Sequence, residues 1–421
     1  MLDRLPSAER TDMSKGYDAI VVGARCAGSP TAMLLARLGY EVLLVDRATF
    51  PSDTMSTHLI HARGVAALKR WGLLDQLRAT GCPPITTYSY DFGPLTISGS
   101  PRAADGVADA FCPRRIVLDD LLVRAAVAAG AEFREAFTVQ EILVEDGEVT
   151  GIRGHAKGGA TVTDRARVVI GADGKHSLVA KAVGAEQYNE VPTLEVGYYA
   201  YWSGLPTEGG EFYLRGEARR VWGVLATHEG LTCVVVGWPR SQFEVNRTDY
   251  EAHYMNTFEL APEFAERVRA ATRETRFTGT ADLPNFFRRP YGPGWALAGD
   301  AGYHKDPVTA LGISDAFRDA EAVSAALDDT FAGRRSYDDA MAACQQARDA
   351  ASLPPYGLTC EFAKIEPPPA HMQQLFASVA ASRAASDDFA SVMAGTLPIP
   401  EFFAPDNAER IMREAGHAAP S

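Results

Sequence analysis

Tyr17-Asp-Ala-Ile-Val-Val-Gly23 leads into Ala24-Arg-Cys-Ala-Gly28, then a run to Leu38-Gly39, then Glu41-Val-Leu-Leu-Val-Asp46. The first run is short, rich in β-formers and ends in glycine, which reads as a buried strand. Ala27 to Leu38 carries a helical pattern with small residues at its start and a glycine stop. Glu41 to Asp46 is a second buried strand. Strand, tight turn, helix and strand within about thirty residues make the βαβ unit of a parallel sheet. The turn Gly23-Ala-Arg-Cys-Ala-Gly28 approximates a dinucleotide fingerprint. In that pattern the first glycine makes the turn, the second admits a pyrophosphate and the third allows helix–strand contact. Arg25 stands at the middle glycine position, its side chain either turned outward or set against phosphate oxygens. Asp46, 18 residues past Gly28, is placed to accept ribose hydroxyls. The bland alternative is a glycine turn with an incidental aspartate.

Working outward, Arg167–Ile170 and Trp295–Ala298 are apolar runs that each end in glycine plus aspartate, as further strands of the same sheet would. Between them Leu194–Trp202, Glu211–Leu214, Val221–Ala226 and Leu231–Trp238 alternate with Gly, Pro and polar turns, the texture of an antiparallel sheet. From Ile313 the pattern is helical, and Pro354-Pro355 and Pro367-Pro368-Pro369 are expected to break it into short helices.

Composition narrows the class. Of 421 residues, 46% are hydrophobic and 23% charged, which excludes collagen, coiled-coil and disordered chains. The charge balance, 41 basic against 54 acidic residues, is −13 and argues against general nucleic-acid affinity. No apolar stretch is long enough to cross a membrane as a helix. Residues 1–16 read as a flexible polar leader, with Met13 an alternative start. Six scattered cysteines without a C-x-x-C pair suit reduced thiols in a cytoplasm, with no metal site expected.

Two later motifs follow strands: Gly171-Ala-Asp-Gly-Lys-His-Ser177, and Gly299-Asp-Ala-Gly-Tyr-His-Lys-Asp-Pro307, the latter before Gly312-Ile313 at a helix start. The order of fingerprint, ADG-x-x-S, then GDA…P…G with a long helix resembles the FAD-dependent aromatic hydroxylases. Para-hydroxybenzoate-hydroxylase-like, geranylgeranyl-reductase-like and halogenase-like flavoproteins share that scaffold. The resemblance covers roughly residues 17–335 and is specific for FAD binding, much less so for the reaction.

It implies an α/β fold: a Rossmann-like FAD-binding domain with an inserted antiparallel β-sheet substrate domain and a helical C-terminal region. The expected boundaries are 17–185 and 281–335 for the FAD domain, 186–280 for the substrate domain and 336–421 for the helical region. By the same resemblance Gly23, Ala27 and Gly28 would hold the diphosphate and Asp46 the adenosine ribose. Arg47 would lie on the adenine side, and Val139 would contact adenine through its backbone. Arg115 would reach the ribityl-phosphate region, though Arg114 competes for that role. Asp300 would bond the ribityl chain and Pro307 would lie against the isoalloxazine. The amides of Gly312 and Ile313 would face the flavin edge that becomes negative on reduction.

Asp53 to His61 is rich in hydroxyls and histidine, and in related flavoproteins this region passes near flavin and substrate. Ser56 and Thr57 would hydrogen-bond FAD, and His58 or His61 could be an acid–base group. The alternative is packing against a helix from about Ala62 to Leu77; it is the expected role of His61, while both readings stand for His58. His304 and Lys305 either line the cavity or are solvated loop charges, His304 being the second catalytic candidate. Aromatics of the inserted sheet (Tyr198, Tyr199, Tyr201, Trp202, Phe212, Trp222, Trp238) would roof a pocket, most of them as plain core.

The function expected is a flavin monooxygenase that hydroxylates or epoxidises an aromatic or polyketide-like molecule with oxygen, through a flavin C4a-hydroperoxide, in secondary metabolism. The alternative is a C=C reductase of the geranylgeranyl-reductase type. Halogenation is disfavoured because no W-x-W-x-I-P segment occurs. NAD(P)H is the expected electron donor. Where such hydroxylases carry an arginine after ADG-x-x-S, this chain has Ala180 followed by Lys181, so a separate flavin reductase is the alternative source.

Overall fold

A computed structural model describes residues 16–416, so the polar leader, Gly16 apart, lies outside the described residues. β1 (Gly16–Val22), α1 (Gly28–Arg37) and β2 (Val42–Val45) form the expected βαβ unit, with Ala19 beside Val42 and Val22 beside Val45 in parallel register. Val42–Val45 is buried throughout, as a parallel strand covered on both faces must be. The single helix expected after His61 is two, α2 (Ala62–Arg70) and α3 (Leu74–Ala79). Gly72 takes φ +75°, and the Leu73 amide closes onto the Leu68 carbonyl at 2.8 Å. That is a glycine C-cap, which ends a helix whatever its apolar periodicity says.

The chain continues through β3 (Tyr88–Asp91), β4 (Thr96–Gly99), α4 (Arg115–Ala128), β5 (Glu132–Arg134), β6 (Phe137–Glu145), β7 (Glu148–Ala156), β8 (Thr161–Gly171) and α5 (Leu178–Ala182). Then come β9 (Glu195–Ser203), β10 (Gly210–Arg215), β11 (Arg220–Ala226), β12 (Thr232–Pro239), α6 (Tyr250–Thr257), α7 (Pro262–Ala270) and β13 (Trp295–Leu297). α8 (Gly312–Phe331), α9 (Tyr337–Ala363), α10 (Ala370–Ala380), α11 (Arg383–Met393) and α12 (Pro405–Glu414) complete it.

The first sheet runs Tyr291–Gly292, β13, β8, β1, β2, β5, with β7 beside β8 and β6 beside β7. β13, β8, β1, β2 and β5 are mutually parallel. Val22 pairs with Gly171 and Gly171 with Leu297. The three motifs, far apart in the chain, therefore leave one sheet at the same carboxyl edge, where open α/β sheets bind ligands.

The second sheet runs Thr272–Arg273, β9, β12, β11, β10, β3, β4, with Thr278–Thr280 beside β9. It recruits residues 88–99, which the sequence boundaries place in the FAD domain. Tyr88 sits opposite Gly210 in a parallel pairing that no local pattern encodes. Side chains alternate across this sheet. Tyr198, Trp202, Trp222 and Trp238 pack outward with Tyr254, Phe258 and Phe264 of and around α6 and α7. Tyr199, Tyr201, Cys233 and Leu225 face inward with Tyr88, Tyr90 and Ala310. Most of the roofing aromatics are thus core.

The C-terminal region departs from expectation at Pro354 and Pro355, which lie inside the 27-residue α9. An interior proline costs about 3 kcal/mol. Burial on both sides of the pair offsets it: Met341, Arg348 and Ser352 before, Tyr356, Thr359, Cys360 and Ala363 after. The Thr359 hydroxyl also donates to the Pro355 carbonyl at 2.7 Å. Pro367–Pro369 do separate α9 from α10. α10–α12 then cover the inner face of the second sheet through Phe376, Phe389 and Met412. Each buried aromatic there contributes about 1.5–3 kcal/mol.

Candidate FAD site

At the end of β1, Gly23 takes φ +101°, and a Cβ there would lie 2.4 Å from the Ala172 carbonyl oxygen. A Cβ on Gly28 would lie 1.8 Å from the Gly23 carbonyl oxygen. Only glycine fits either place. Ala27 caps α1 without a side-chain hydrogen bond, and no acid occupies the first turn. The Ser29 amide is taken by the Arg25 carbonyl at 3.0 Å and Pro30 has none, which leaves the Gly28 amide at the helix start for an anion. Asp46 accepts from the Ala24 amide at 2.7 Å and from the Ala48 amide at 2.8 Å. Both of its oxygens brace the loop and keep a lone pair each for a hydroxyl. Arg47 is exposed just beyond. The Phe137 amide bonds the Asp46 carbonyl, which brings Val139, opposite Gly154, to the same end of the sheet.

Arg25 is committed to protein partners. Its guanidinium donates to Asp119 at 2.6 Å and to the Ser52 hydroxyl at 3.2 Å, and lies 5.4 Å from the Phe50 ring centre. Arg115 meets the same carboxylate through two bonds of 3.0 Å, and the Cys26 thiol reaches it at 3.4 Å. Burial opposes the Arg115 charge, but Cys26, Asp119 and, farther off, Asp300 hold its pKa above the ordinary value. Asp119 thus ties Arg115 to the glycine loop through Arg25 and Cys26. Arg114, the N-cap residue before α4, pairs with Glu229 at 3.2 Å and lies over the Tyr201 ring. Sequence reasoning misses Asp119, although its i,i+4 spacing from Arg115 in RRIVLDD is a usable signal.

In ADG-x-x-S, Asp173 accepts from the Leu178 amide at 2.6 Å and Ser177 from the Ala180 amide at 3.0 Å. These are helix caps for α5. Ala180 is buried and Lys181 exposed. After β13, Asp300 is exposed while the Gly299 amide is held by Asp319 at 3.2 Å. Pro307 is half-buried, Ala310 takes φ +52°, and α8 begins at Gly312 with an N-cap, Leu311, that makes no side-chain bond. The amides of Gly312 and Ile313 thus open a 20-residue helix whose positive end is uncapped by a side chain. Asp315 in that first turn pairs with Lys305, Arg63 and Arg318.

Neither His304 nor Lys305 is a solvated loop charge. The buried His304 donates Nδ1–H to the Pro284 carbonyl, and burial lowers its pKa. Lys305 turns to Asp315 and to the Tyr303 hydroxyl at 2.9 Å. His61 is a packing histidine, as expected: it opens α2, donates to the Thr309 carbonyl at 3.1 Å and accepts from the Tyr88 hydroxyl at 2.9 Å.

His58 differs. It is fully buried at φ +64°, and the Leu59 amide bonds the Thr57 carbonyl at 2.8 Å across it. This is a γ-turn of the rarer hand, a conformation that costs about 1–3 kcal/mol and gathers at functional sites. Ser56 accepts from the His58 amide at 3.0 Å and so braces the turn. The Tyr201 hydroxyl and His58 Nε2 share a bond of 2.6 Å, while Nδ1 has no partner. Burial first, then Arg115 and Arg114, push the His58 pKa down to about 3. It is neutral at physiological pH, a hydrogen-bonding group and not a proton donor.

An anion-ready helix start, two glycine cradles, a buried guanidinium and an uncapped second helix converge on one sheet edge. That geometry fits FAD, whose diphosphate and flavin ends need these features. Over residues 16–351 the chain matches the FAD binding domain family, and it belongs to that family. It is 27% identical over 322 residues to the 6-methylpretetramide 4-monooxygenase of Streptomyces rimosus, covering 74% of this chain and 75% of that one. A digeranylgeranylglycerophospholipid reductase of Methanocella arvoryzae is 26% identical over 72% of this chain and 75% of its own length. The flavin-dependent brominase Bmp2 shares the fold, with a TM-score of 0.80 at 17% identity over 95% of this chain and 98% of that one.

Asp300→Ala should lose flavin with little change in fold, since its carboxylate is exposed. Removing one charged acceptor costs about 1.5–3 kcal/mol, roughly 10- to 100-fold in dissociation constant. A flavin titration beside a thermal melt of the apo-protein checks this. Unchanged affinity would make the GDA turn structural only.

Proposed function

We propose that the chain is an FAD-dependent monooxygenase that takes oxygen and a phenolic or polyketide-like aromatic substrate, with NAD(P)H as electron donor. Bound FAD would supply the oxygen-activating chemistry, and the protein the orientation and shielding. The observation that favours this over double-bond reduction is the polar aromatic cluster of His58, Tyr199, Tyr201 and Arg114. His58 lies 5.4 Å from the Tyr199 ring centre and 5.7 Å from that of Tyr201. Such rings and hydroxyls suit a phenol, whereas an isoprenoid chain calls for an aliphatic lining. The six free cysteines suit a cytoplasmic setting.

The test is oxygen uptake and NADPH or NADH oxidation by the FAD-loaded protein across phenols, aromatic polyketides and prenyl lipids, with and without bromide. Substrate-dependent oxygen uptake with labelled oxygen in the product is expected. Anaerobic saturation of a prenyl double bond, or a brominated product, would overturn the reading. Reduction only after adding a flavin reductase would replace NAD(P)H as the direct donor.

A further inference from the structure

The GDA turn is a single short helical turn, Gly299–Ala301, and the chain leaves it through Gly302. Arginine side chains hold its last carbonyls. The Ala301 carbonyl accepts from Arg288 Nη1 at 2.8 Å. The Gly302 carbonyl accepts from the Arg288 amide at 2.8 Å and from Arg348 Nη1 at 3.2 Å. The other arm of the Arg288 fork, Nη2, donates to the Lys175 carbonyl at 3.0 Å. Lys175 belongs to the ADG-x-x-S loop, so one guanidinium joins two motifs that lie far apart in the chain.

Arg288 is itself fixed. It ends the strand Asn285–Arg288, which pairs with Tyr303–His304 just past the turn, and its guanidinium lies 4.2 Å from the Phe286 ring centre. From α9 the buried Arg348 donates through Nη2 to the Arg288 carbonyl at 3.1 Å and to the Tyr188 hydroxyl at 2.6 Å. A Cβ on Gly302 would stand 3.3 Å from Arg348 Nη1, so that guanidinium packs directly on the turn.

Asp300 is exposed, so the backbone beneath it sets the direction of its carboxylate. A guanidinium presents donors in a rigid planar fork that fits two fixed acceptors, which the point charge of an ammonium does not. We infer that Arg288 is a positioning residue for the flavin site: its fork ties the ADG loop to the GDA turn and so sets where Asp300 presents its carboxylate to FAD. This rests on the reading that Asp300 meets the ribityl chain.

FAD and ADP titrations of full-length Arg288→Ala, Asp300→Ala and the double variant test it. ADP carries the adenosine and diphosphate without the ribityl chain, so it engages the glycine loop and Asp46 and not the GDA turn. FAD affinity of Arg288→Ala should fall roughly tenfold or more. Its ADP affinity should stay within about twofold of the unsubstituted protein. Both changes act through one carboxylate, so the double variant should bind FAD no more weakly than Asp300→Ala alone, where independent sites would multiply the losses. Arg288→Lys keeps the charge, loses the fork and should give the same split between FAD and ADP. Hydrogen exchange of the apo-protein needs no ligand: the amides of residues 173–177 and 299–303 should lose protection together in Arg288→Ala.

Equal losses of FAD and ADP, full FAD affinity in Arg288→Lys, multiplied losses in the double variant, or undisturbed exchange overturns the role of Arg288. Loosened exchange in both loops, with an Asp300→Ala variant that binds FAD normally, keeps the tie and sinks the flavin placement of the turn. Loss of FAD in Asp300→Ala with none in Arg288→Ala does the reverse.

Discussion

Gly28→Ala should yield a protein that no longer carries flavin and unfolds at markedly lower denaturant. The added methyl would stand 1.8 Å from the Gly23 carbonyl oxygen and 3.1 Å from the Ala172 side chain. The nearest obstacle is backbone, pinned by the β1–β8 pairing, so it cannot rotate aside as a side chain would. α1 must lift off the sheet, carrying its N-terminal amide out of line with the anion site. Overpacking of this kind costs about 1–3 kcal/mol where the surroundings can relax, and more where they cannot. Urea melts and flavin absorbance after purification check both halves. A variant with wild-type midpoint and full flavin content would mean that α1 does not meet β1 as described.

Asp119→Ala carries the second large effect. Asp119 is fully buried and takes two bonds from Arg115, one from Arg25 and one from the Cys26 thiol. Its removal strands the Arg115 guanidinium, itself 8% exposed, without a counter-charge. Breaking one half of a buried pair costs about 3–5 kcal/mol. Arg25→Ala is the contrasting variant: its side chain is 25% exposed, and Asp119 would keep Arg115. That change should cost about 1 kcal/mol or less. Thermal melts of the two variants, with FAD titrations alongside, separate the roles. Equal losses would mean that Arg25, not Arg115, is the group that Asp119 serves.

Much of the site is legible in the amino-acid sequence because its parts are local. A glycine turn after a buried strand depends on a few neighbouring residues, and so do the capping residues of α5 and the start of α8. Gly23, Gly28, Asp300 and Gly312 fall into that group, and the sheet register brings all of them to one edge. Asp119 is harder to read. It acts through Arg115 and Arg25, and the second of these depends on how α4 meets the glycine loop. His58 is open for a related reason, since a histidine in a polar stretch looks the same buried or solvated.

Short-range patterns alone specify the βαβ start, the four long strands of the second sheet and the order in which the FAD-site motifs arrive. Apolar periodicity and glycine position encode these over a few residues. Long-range packing is what makes residues 88–99 join the second sheet, carries α9 through Pro354 and Pro355, and keeps His58 neutral. Strand pairing between Tyr88 and Gly210 joins residues more than a hundred positions apart. Continuity of α9 follows from burial on either side of its prolines. The neutrality of His58 follows from burial beside two guanidiniums. In each case the deciding energy comes from groups distant in the chain, which no local window contains.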